Sequence, residues 1–233
     1  MIIGHRGASG YAPENTMAAI KKAINMSCNG LELDVQLTKD QKVIVHHDWN
    51  VDRTTNGKGE IKDLTLDDIR KLDAGKWYSD EFIGEKVPTL EEVLLEVPEN
   101  LFLNIEIKSK ADDNRGIEKE VIELLNKYNR LENTVLSSFN HLCLERIRKI
   151  NPEIKIGILF EAYLLDLFDY IKKFKAYSIH PCNYYVSKEL IDKAKDNNMK
   201  VFCWTVNDKS RAIELSEMGV DGIITNYPDL LKK

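Results

Sequence analysis

The chain consists of short apolar segments separated by longer segments whose apolar residues recur every three to four positions. The apolar segments predict nine strands, at residues 2–5, 31–37, 43–47, 101–108, 134–138, 155–160, 176–180, 201–204 and 221–225. The helical spacing predicts helices at residues 14–26, 65–72, 90–97, 116–128, 141–150, 164–174, 187–197 and 208–218. This alternation is typical of parallel strands covered by helices.

The short connection after the second predicted strand determines how many strands are parallel. Only residues 38–42 separate the second and third strands. A parallel crossover needs about a dozen residues, so the third strand must return antiparallel, as a hairpin. The other eight strands and a length of 233 residues fit an α/β fold of the (β/α)8 TIM barrel type. A doubly wound open sheet is the alternative, although no glycine-rich phosphate loop follows the first strand.

Residues 49–88 interrupt the alternation of strands and helices. This segment is rich in Asp, Lys, Thr and Gly and contains the turn-forming sequence TTNGKGE. It is too long for an ordinary loop, so we expect a functional insertion between the second barrel strand and its helix, with passive decoration as the alternative. The predicted organisation is one catalytic barrel domain over residues 1–233, with a small inserted subdomain at 49–88.

Polar residues alternate with apolar ones in two of the predicted strands. They are Glu32, Asp34 and Gln36 in one strand, and Asn104, Glu106 and Lys108 in the other. Helices cover the outer face of a barrel, so these polar side chains must point inward, where unpaired carboxylates are costly. Glu32, Asp34 and Glu106 therefore predict a site for one hard divalent cation, Mg²⁺ or Ca²⁺. A salt-bridge network with Arg6 and Lys108 is the alternative.

Two histidines are expected at the same end of the barrel. His5 ends the first strand, and a hairpin turn centred on residues 40 and 41 pairs His47 with Asp34. Alternation along the third strand sends His46 to the opposite face, so we expect a structural role for it. Two histidines beside an acidic cluster favour general acid–base catalysis.

Positive charge at this predicted site indicates which group reacts. Arg6 and Lys108, together with a hard cation, suit an anionic phosphoryl centre. One histidine can activate the attacking oxygen while the other protonates the leaving oxygen, which is what phosphodiester cleavage requires. The chain has no Walker lysine in a glycine-rich loop, which disfavours kinase or NTPase chemistry.

Composition and charge exclude several other classes of protein. The net charge of −5 and the pI near 5.6 argue against nucleic-acid binding. No apolar run reaches the ~18 residues of a membrane span, and no signal peptide is visible. The cysteines, which lack CxxC spacing, are expected to be small buried residues: Cys28, Cys143, Cys182 and Cys203. We therefore expect a cytoplasmic protein without a stable membrane anchor.

Several segments resemble, in order, the motifs of the glycerophosphodiester phosphodiesterase family. They are HRGASGYAPENT at 5–16, LELDVQLTKDQKVIVHHD at 31–48, DRTTNGKGEI at 52–61, NIEIK at 104–108, VFCWTVND at 201–208 and GVDGIITNYPDLL at 219–231. One departure is His46, where the family more usually has an apolar residue, so that the HD motif reads HHD. His47 is the histidine that matches this motif, because it precedes Asp48.

The resemblance implies a TIM barrel that hydrolyses glycerophosphodiesters, which are small-molecule substrates, to sn-glycerol 3-phosphate and an alcohol. The implied roles are ion binding by Glu32, Asp34 and Glu106, acid–base catalysis by His5 and His47, and phosphate binding by Arg6 and Lys108. The resemblance leaves open which histidine is the base. It also leaves open whether water attacks, or the 2-hydroxyl of the substrate through a cyclic phosphate.

Apolar and aromatic residues near the predicted mouth are candidates for substrate contacts. The family places the residue matching Trp204 near the substrate, so we expect Trp204 to line the glycerol or alcohol moiety, and Phe139 to do the same. Tyr163, Leu164 and Leu165 are expected to pack against a helix, with an apolar rim for a lipid as the alternative.

Two other functions fit the same residues. A lysophospholipase D-like or sphingomyelinase D-like phosphodiesterase would need an exposed apolar lip for a lipid chain. A barrel that only binds a phosphodiester would not need two histidines beside three carboxylates. The sequence does not indicate the preferred alcohol or the oligomeric state.

Overall fold

A computed structural model describes residues 1–232, so Lys233, the last residue of the predicted catalytic domain, lies outside the described residues. The strands are β1 (Ile2–His5), β2 (Gly30–Leu37), β3 (Val43–Val45), β4 (Phe102–Ile107), β5 (Thr134–Ser138), β6 (Lys155–Phe160), β7 (Ser178–Pro181), β8 (Lys200–Cys203) and β9 (Gly222–Thr225). Their bounds agree with the predicted strands to within two residues at either end.

Eight of the strands formed by residues 1–232 close into a parallel barrel. Their order around the barrel is β1, β2, β4, β5, β6, β7, β8 and β9, and β9 pairs again with β1. Strand β3 lies outside this ring and pairs antiparallel with β2. The predicted (β/α)8 fold and the predicted hairpin are therefore confirmed.

Helices lie between the barrel strands, and six of the eight within residues 1–232 begin at a residue whose side chain caps them. The helices are α1 (Met17–Asn25), α2 (Leu66–Arg70), α3 (Leu90–Glu96), α4 (Ile117–Lys127), α5 (His141–Ile150), α6 (Leu167–Ile171), α7 (Lys188–Asp196) and α8 (Lys209–Met218). Thr16, Ser187 and Asp208 each accept a hydrogen bond from the backbone amide three residues later. No helix within residues 1–232 is both long enough and apolar enough to cross a bilayer.

The hairpin between β2 and β3 has a different register from the predicted one. Val35 lies opposite Val45, and the backbone amide of His46 donates a hydrogen bond of 2.9 Å to the carbonyl of Asp34. The predicted pairing of Asp34 with His47 is therefore wrong by one residue.

The turn of this hairpin explains the change of register. The amide of Thr38 donates to the carbonyl of Lys42 at 3.0 Å, so the loop contains residues 39–41 rather than the predicted residues 40 and 41. A two-residue hairpin turn needs left-handed backbone, which Gly and Asn adopt readily. A three-residue loop needs a single residue with left-handed backbone, at the end of the loop. Gln41 is that residue, with φ of 61°.

Strand β3 ends at Val45, two residues before the predicted end. Val43 and Val45 join the core between the barrel and its helices, whereas Ile44 packs into the cluster of the inserted segment. Continued alternation would have sent His47 into the apolar core with Val43 and Val45. His47 instead leaves the strand with the bending chain, and this bend carries it towards the barrel mouth.

The barrel core has an outer layer and an inner layer. Leu31, Leu33 and Val35 of β2 belong to the outer layer, which packs beneath the helices. The inner layer is a separate cluster of four buried residues, Ile3, Val135, Phe202 and Ile224. Because apolar side chains fill this part of the interior, the polar residues of β2 and β4 lie towards the carboxyl ends of the strands.

Residues 49–88 contain short helical segments around a small core of their own. Besides α2 they include 3-10 helices at Ile61–Asp63 and Asp80–Phe82. Helix α2 begins at a reciprocal capping box between Thr65 and Asp68. The core consists of Ile44, Val51, Ile61, Ile69, Ala74 and Val87. Since Ile44 belongs to β3, the hairpin anchors this segment to the barrel.

His180, near the end of β7, is fully buried inside the barrel. Gly157 on the neighbouring strand makes room for it, because a Cβ there would lie 2.4 Å from His180 Nε2. Ser178 Oγ lies 2.8 Å from Nε2, whereas no group of residues 1–232 hydrogen bonds to Nδ1. Burial lowers the pKa of His180 to about 3, so the ring is neutral at pH 7.

We predict that His180→Asn makes stability less sensitive to acid. Burial lowers the pKa of His180 to about 3 in the folded state, whereas in the unfolded state it is about 6.5. Between these pH values only the unfolded state binds the proton, so the free energy of unfolding falls as the pH falls from about 6.5 towards 3. Between pH 6.5 and 4, the free energy of unfolding should fall less steeply in the variant, by up to ~1.4 kcal/mol per pH unit. Urea unfolding at a series of pH values measures this slope, and parallel curves for the two proteins would contradict the prediction.

Candidate active site

The acidic residues predicted as ligands meet at the carboxyl ends of β2 and β4. Asp34 lies opposite Glu106 in the register of these strands, and His5 of β1 lies opposite Glu32. One ligand oxygen from each of Glu32, Asp34 and Glu106 lies within 4.8 Å of the other two. All three residues are buried. The structure thus brings together the three carboxylates whose inward orientation followed from strand alternation.

Two basic side chains compensate most of this buried negative charge. Lys108 Nζ lies 2.6 Å from Glu106 Oε1 and 3.4 Å from Asp34 Oδ1. Arg6 Nε lies 3.3 Å from Asp34 Oδ2, and the Arg6 amide donates to Glu32 Oε2 at 3.1 Å. The salt bridges that were the alternative to a cation are therefore present. They do not neutralise the cluster, because two positive charges face three carboxylates.

Burial and the neighbouring charges shift the pKa values of the three carboxylates. Burial, assisted by Asp34, raises the pKa of Glu32 well above its usual range. Burial and Asp34 likewise raise the pKa of Glu106 to about 7. Burial also opposes ionisation of Asp34, but Lys108 and Arg6 outweigh it and hold the pKa of Asp34 below its usual range. The cluster accordingly favours either a bound proton or a further cation.

These donors fit a divalent cation. Carboxylate oxygens are the ligands that Mg²⁺ and Ca²⁺ prefer, and the three converge on one point of the barrel mouth. The excess of acidic over basic groups is the second indication, because a cation would compensate both the burial and the repulsion from Asp34 that raise the pKa of Glu32 and Glu106. The donor set does not discriminate between the two ions.

The turn after β1 holds Arg6 in a left-handed backbone conformation. The φ angle is 55° at Arg6 and 83° at Gly7. A Cβ on residue 7 would lie 2.6 Å from the carbonyl carbon of Ala19, so the turn requires glycine there. A non-glycine residue in this conformation costs about 1 kcal/mol or more. The turn directs the Arg6 side chain to Asp34 on one side and to Glu14, at 2.7 Å, on the other.

His5 is held by an amide side chain. Its Nδ1 lies 2.6 Å from Asn226 Oδ1, and its Nε2 lies 3.8 Å from Glu32 Oε2. Because the amide oxygen accepts, His5 carries its proton on Nδ1 and presents Nε2 to the site as an acceptor. Burial, with a smaller contribution from Arg6, lowers the pKa of His5 to about 4.

His47 is held by a carboxylate instead. Its Nδ1 donates to Asp48 Oδ1 at 2.7 Å, and Arg53 Nε donates to the other oxygen of Asp48 at 2.7 Å. The hydrogen bond from Arg53 holds the pKa of Asp48 below its usual range, so Asp48 is ionised beside the ring. A cavity of about 70 Å³ is lined by both histidines together with Glu32 and Glu106. Two imidazoles with different partners therefore face one acidic cavity.

Besides His180, two histidines lie outside this cavity. His46 is buried, and its Nε2 lies 2.9 Å from Thr54 Oγ1 while its Nδ1 lies 3.0 Å from the carbonyl of Asp48. These contacts join β3 to the inserted segment, as expected for a structural residue. His141 is the first residue of α5, and its Nδ1 lies 2.8 Å from Tyr170 Oη.

Aromatic side chains form one wall of the site. The rings of Phe139 and Trp204 meet edge to face, with centroids 5.4 Å apart. Trp204 Nε1 donates to the carbonyl of His180 at 2.8 Å, which fixes the indole. Phe139 also lines an open cleft of about 480 Å³ that continues from Glu106 past His47 to the inserted segment. The two aromatic residues predicted near the substrate therefore lie together at the barrel mouth.

The loop between β6 and α6 exposes apolar side chains beside this mouth. Tyr163 and Leu164 are partly exposed, and Leu165 has 89% of its surface exposed. The expectation that these residues pack against a helix is wrong for Leu165, whereas Tyr163 and Leu164 border a small pocket beside Phe168 of α6 and Leu190 of α7. The loop precedes the helix and leaves the side chain of Leu165 at the surface.

Four residues that sequence reasoning did not single out complete the site: Glu14, Asn15, Arg53 and Asn226. Asn15 Nδ2 donates to Asp34 Oδ2 at 2.9 Å, and the others bond to Arg6, Asp48 and His5 as described above. Each lies in a motif segment of the sequence, PENT, DRTT or TNYP. The motifs mark these positions, but no spacing rule connects them with their partners, which lie between 5 and 221 residues away.

Known proteins resemble this chain along its whole length. The sequence signature of the glycerophosphoryl diester phosphodiesterase family matches residues 5–230. A glycerophosphodiester phosphodiesterase of Caldanaerobacter subterraneus is 45% identical over 99% of this chain and 96% of its own length. A glycerophosphodiester phosphodiesterase of Bacillus subtilis is 36% identical over the whole of this chain and 85% of its own length.

Solved structures agree with the sequence matches. The Oleispira antarctica phosphodiesterase in complex with the product sn-glycerol 3-phosphate superposes with a TM-score of 0.91 at 30% identity, over 98% of this chain and 93% of that one. The glycerophosphodiester phosphodiesterase of Agrobacterium tumefaciens gives a TM-score of 0.86 at 28% identity, over 98% and 97% of the two chains. The family that the sequence motifs predicted is confirmed, and this chain belongs to the glycerophosphoryl diester phosphodiesterase family.

Proposed function

We propose that the protein hydrolyses glycerophosphodiesters to sn-glycerol 3-phosphate and an alcohol, using one divalent cation and two histidines. The observation that carries this proposal is that His5 and His47 line the same small cavity as buried carboxylates of the acidic cluster. The bound product in the Oleispira antarctica relative supports sn-glycerol 3-phosphate as the product here as well.

Glu32, Asp34 and Glu106 are the residues that would hold the cation, Mg²⁺ or Ca²⁺. When bound, a divalent cation polarises a phosphoryl oxygen and stabilises the negative charge of the transition state. Arg6 and Lys108 already reach the edge of the acidic cluster. We assign them to the phosphate, because guanidinium and ammonium groups donate charge-assisted hydrogen bonds to phosphoryl oxygens.

The partners of the two histidines support different roles in acid–base catalysis. Burial lowers the pKa of His47, but Asp34 and the hydrogen bond to Asp48 oppose this shift. The carboxylate of Asp48 stabilises an imidazolium at His47 when it forms, which suits the acid that protonates the leaving oxygen. Asn226 offers His5 no such charge, and the low pKa of His5 keeps Nε2 free to accept a proton. We therefore assign His5 as the base that takes a proton from water or from the 2-hydroxyl of the substrate.

The aromatic wall and the inserted segment complete the proposal. We assign Trp204 and Phe139 to contacts with the glycerol or alcohol moiety, since they border the cavity of the two histidines. We also propose a single catalytic domain with residues 49–88 inserted in it, which supplies Arg53 to the site. Four buried, unpaired cysteines support a reducing compartment, the cytoplasm: Cys28, Cys143, Cys182 and Cys203.

We predict that removal of divalent cations abolishes the hydrolysis of glycerophosphocholine. Release of glycerol 3-phosphate should disappear after dialysis against EDTA and return with Mg²⁺ or Ca²⁺. Glu106→Gln keeps the shape of a ligand but removes its charge, so kcat should fall about 100-fold or more. Glu91→Gln, which changes a surface residue of α3 paired with Lys127, is the matched control. Activity that survives chelation would exclude the cation.

We predict that the two histidines differ in their response to the leaving group. His5→Ala and His47→Ala should each lower kcat on glycerophosphocholine by about 100- to 10,000-fold. A diester with a p-nitrophenol leaving group needs no protonation, so it should restore turnover by His47→Ala but not by His5→Ala. His141→Ala is the control outside the cavity. Full activity in both active-site variants would refute the site, and the reverse pattern would exchange the two roles.

The exposed apolar loop favours a second candidate function, a lysophospholipase D-like activity. Leu165 and its neighbours Tyr163 and Leu164 form an apolar lip beside the mouth, as a lipid substrate would require. If this lip binds lipid, Leu165→Asp should reduce hydrolysis of micellar lysophosphatidylcholine several-fold and leave that of glycerophosphocholine unchanged. An equal effect on both substrates, or no hydrolysis of the micellar lipid, would exclude the second function.

A further inference from the structure

Arg53, which belongs to the inserted segment, binds two carboxylates that contact active-site residues: Asp48, which holds His47, and Glu14, which holds Arg6. We propose that Arg53 is a positioning residue that aligns His47 through Asp48 and Arg6 through Glu14. The inference rests on the proposed function, because it concerns how fast that reaction proceeds. It gives the inserted segment a defined part in catalysis.

The guanidinium of Arg53 makes four hydrogen bonds to two carboxylates. Towards Asp48, Nε lies 2.7 Å from Oδ2 and Nη2 lies 3.0 Å from Oδ1. Towards Glu14, Nη1 lies 2.9 Å from Oε2 and Nη2 lies 2.7 Å from Oε1. Both contacts are bidentate, and a planar fork can hold two carboxylates in fixed orientations in a way that an ammonium cannot.

One series of hydrogen bonds leads from Arg53 through Asp48 to the imidazole of His47. Asp48 Oδ1 receives the Nδ1–H of His47 at 2.7 Å while both Asp48 oxygens are held by Arg53. The orientation of an acid–base imidazole depends on the group that holds its second nitrogen. Arg53 therefore sets the direction of His47 Nε2 without lying next to it.

The second series of hydrogen bonds leads from Arg53 through Glu14 to the guanidinium of Arg6. Glu14 Oε1 accepts from Arg6 Nη1 at 2.7 Å and from Arg53 Nη2 at 2.7 Å. Arg6 then reaches Asp34 at 3.3 Å. Burial opposes ionisation of Glu14, but the hydrogen bond from Arg53 and the charge of Arg6 lower its pKa. Arg53 thus keeps Glu14 charged and fixed between two arginines.

The exposure of Arg53 distinguishes the positioning role from a packing role in the core. Its side chain is 46% exposed, whereas that of Glu14 is 14% exposed. Truncation to alanine therefore leaves no internal cavity, and its main effect is to free Asp48 and Glu14. Arg53 also lines the open cleft of about 480 Å³, so a direct contact with the substrate is the competing role. The two roles affect different kinetic constants. Loss of a direct contact with the bound substrate raises KM, whereas loss of the alignment of a catalytic group lowers kcat.

The primary test compares Arg53→Ala with a matched arginine of the same inserted segment. Arg70 binds the single carboxylate of Glu92, away from the site, so Arg70→Ala is the control. Loss of a residue that orients a catalytic group costs about 10- to 100-fold, and we expect a fall of that size in kcat of Arg53→Ala on glycerophosphocholine. KM should stay within about threefold of the original value, and Arg70→Ala should retain both constants.

Rescue experiments provide a readout that a purely structural role would not change. Guanidinium chloride at low millimolar concentration should raise kcat of Arg53→Ala several-fold, whereas urea at the same concentration should not. Arg53→Lys should recover only part of the activity, because an ammonium cannot hold both carboxylates bidentately. If Arg53 acts through Asp48 and Glu14, adding Arg53→Ala to the double variant Asp48→Asn/Glu14→Gln should lower kcat little further.

The outcomes separate this inference from the proposed function. An unchanged kcat in Arg53→Ala, an additive effect of Arg53→Ala in the Asp48→Asn/Glu14→Gln background, or a loss confined to KM would overturn the positioning role. If the unaltered protein hydrolyses no glycerophosphodiester, the proposed function fails instead. The inference is then decided by the ¹⁵N NMR shifts of the His47 ring, which need no substrate. Arg53→Ala should change the Nδ1–H signal and Arg70→Ala should not, and an unchanged signal in both would refute the inference.

Discussion

Three carboxylates buried within 4.8 Å of one another at the barrel mouth impose the constraint on which the site depends. Charges of the same sign at this distance cannot all remain ionised in a poorly hydrated position without compensation. Lys108 and the left-handed turn at Arg6 supply two positive charges, which leaves an excess of one negative charge. A divalent cation provides the missing charge and, at the same place, the electrophile that phosphodiester cleavage needs.

Negative and positive side chains alternate from this cluster towards the inserted segment. Asp34 is followed by Arg6, then by Glu14, and then by Arg53 of the inserted segment. Asp34 lies between Lys108 and Arg6, and Glu14 lies between Arg6 and Arg53, so each of these carboxylates has two positive partners and a fixed direction. Because the series ends on Asp48 beside His47, the electrostatic balance of the barrel mouth and the orientation of an acid–base group are linked.

Sequence reasoning was most successful where a side chain's direction follows from local geometry. The period of two in β2 and β4 was sufficient to place Glu32, Asp34 and Glu106 inside the barrel. The same rule failed for β3, because Gln41 closes a three-residue loop and the strand ends at Val45. His47 therefore reaches the mouth through a bend that alternation does not describe, although the family motif had identified the residue.

The sequence by itself determined the strand count, the barrel, the family and the identity of the acidic cluster. Hydrophobic period, connection length and motif order are properties of neighbouring residues, so they can be read along the chain. Only the tertiary structure decided which residues hold these groups in place. Asn226 meets His5 across 221 positions, and Arg53 meets Glu14 across 39. Such pairings arise when the barrel closes and the inserted segment folds against it, and no local pattern of the chain encodes their distances.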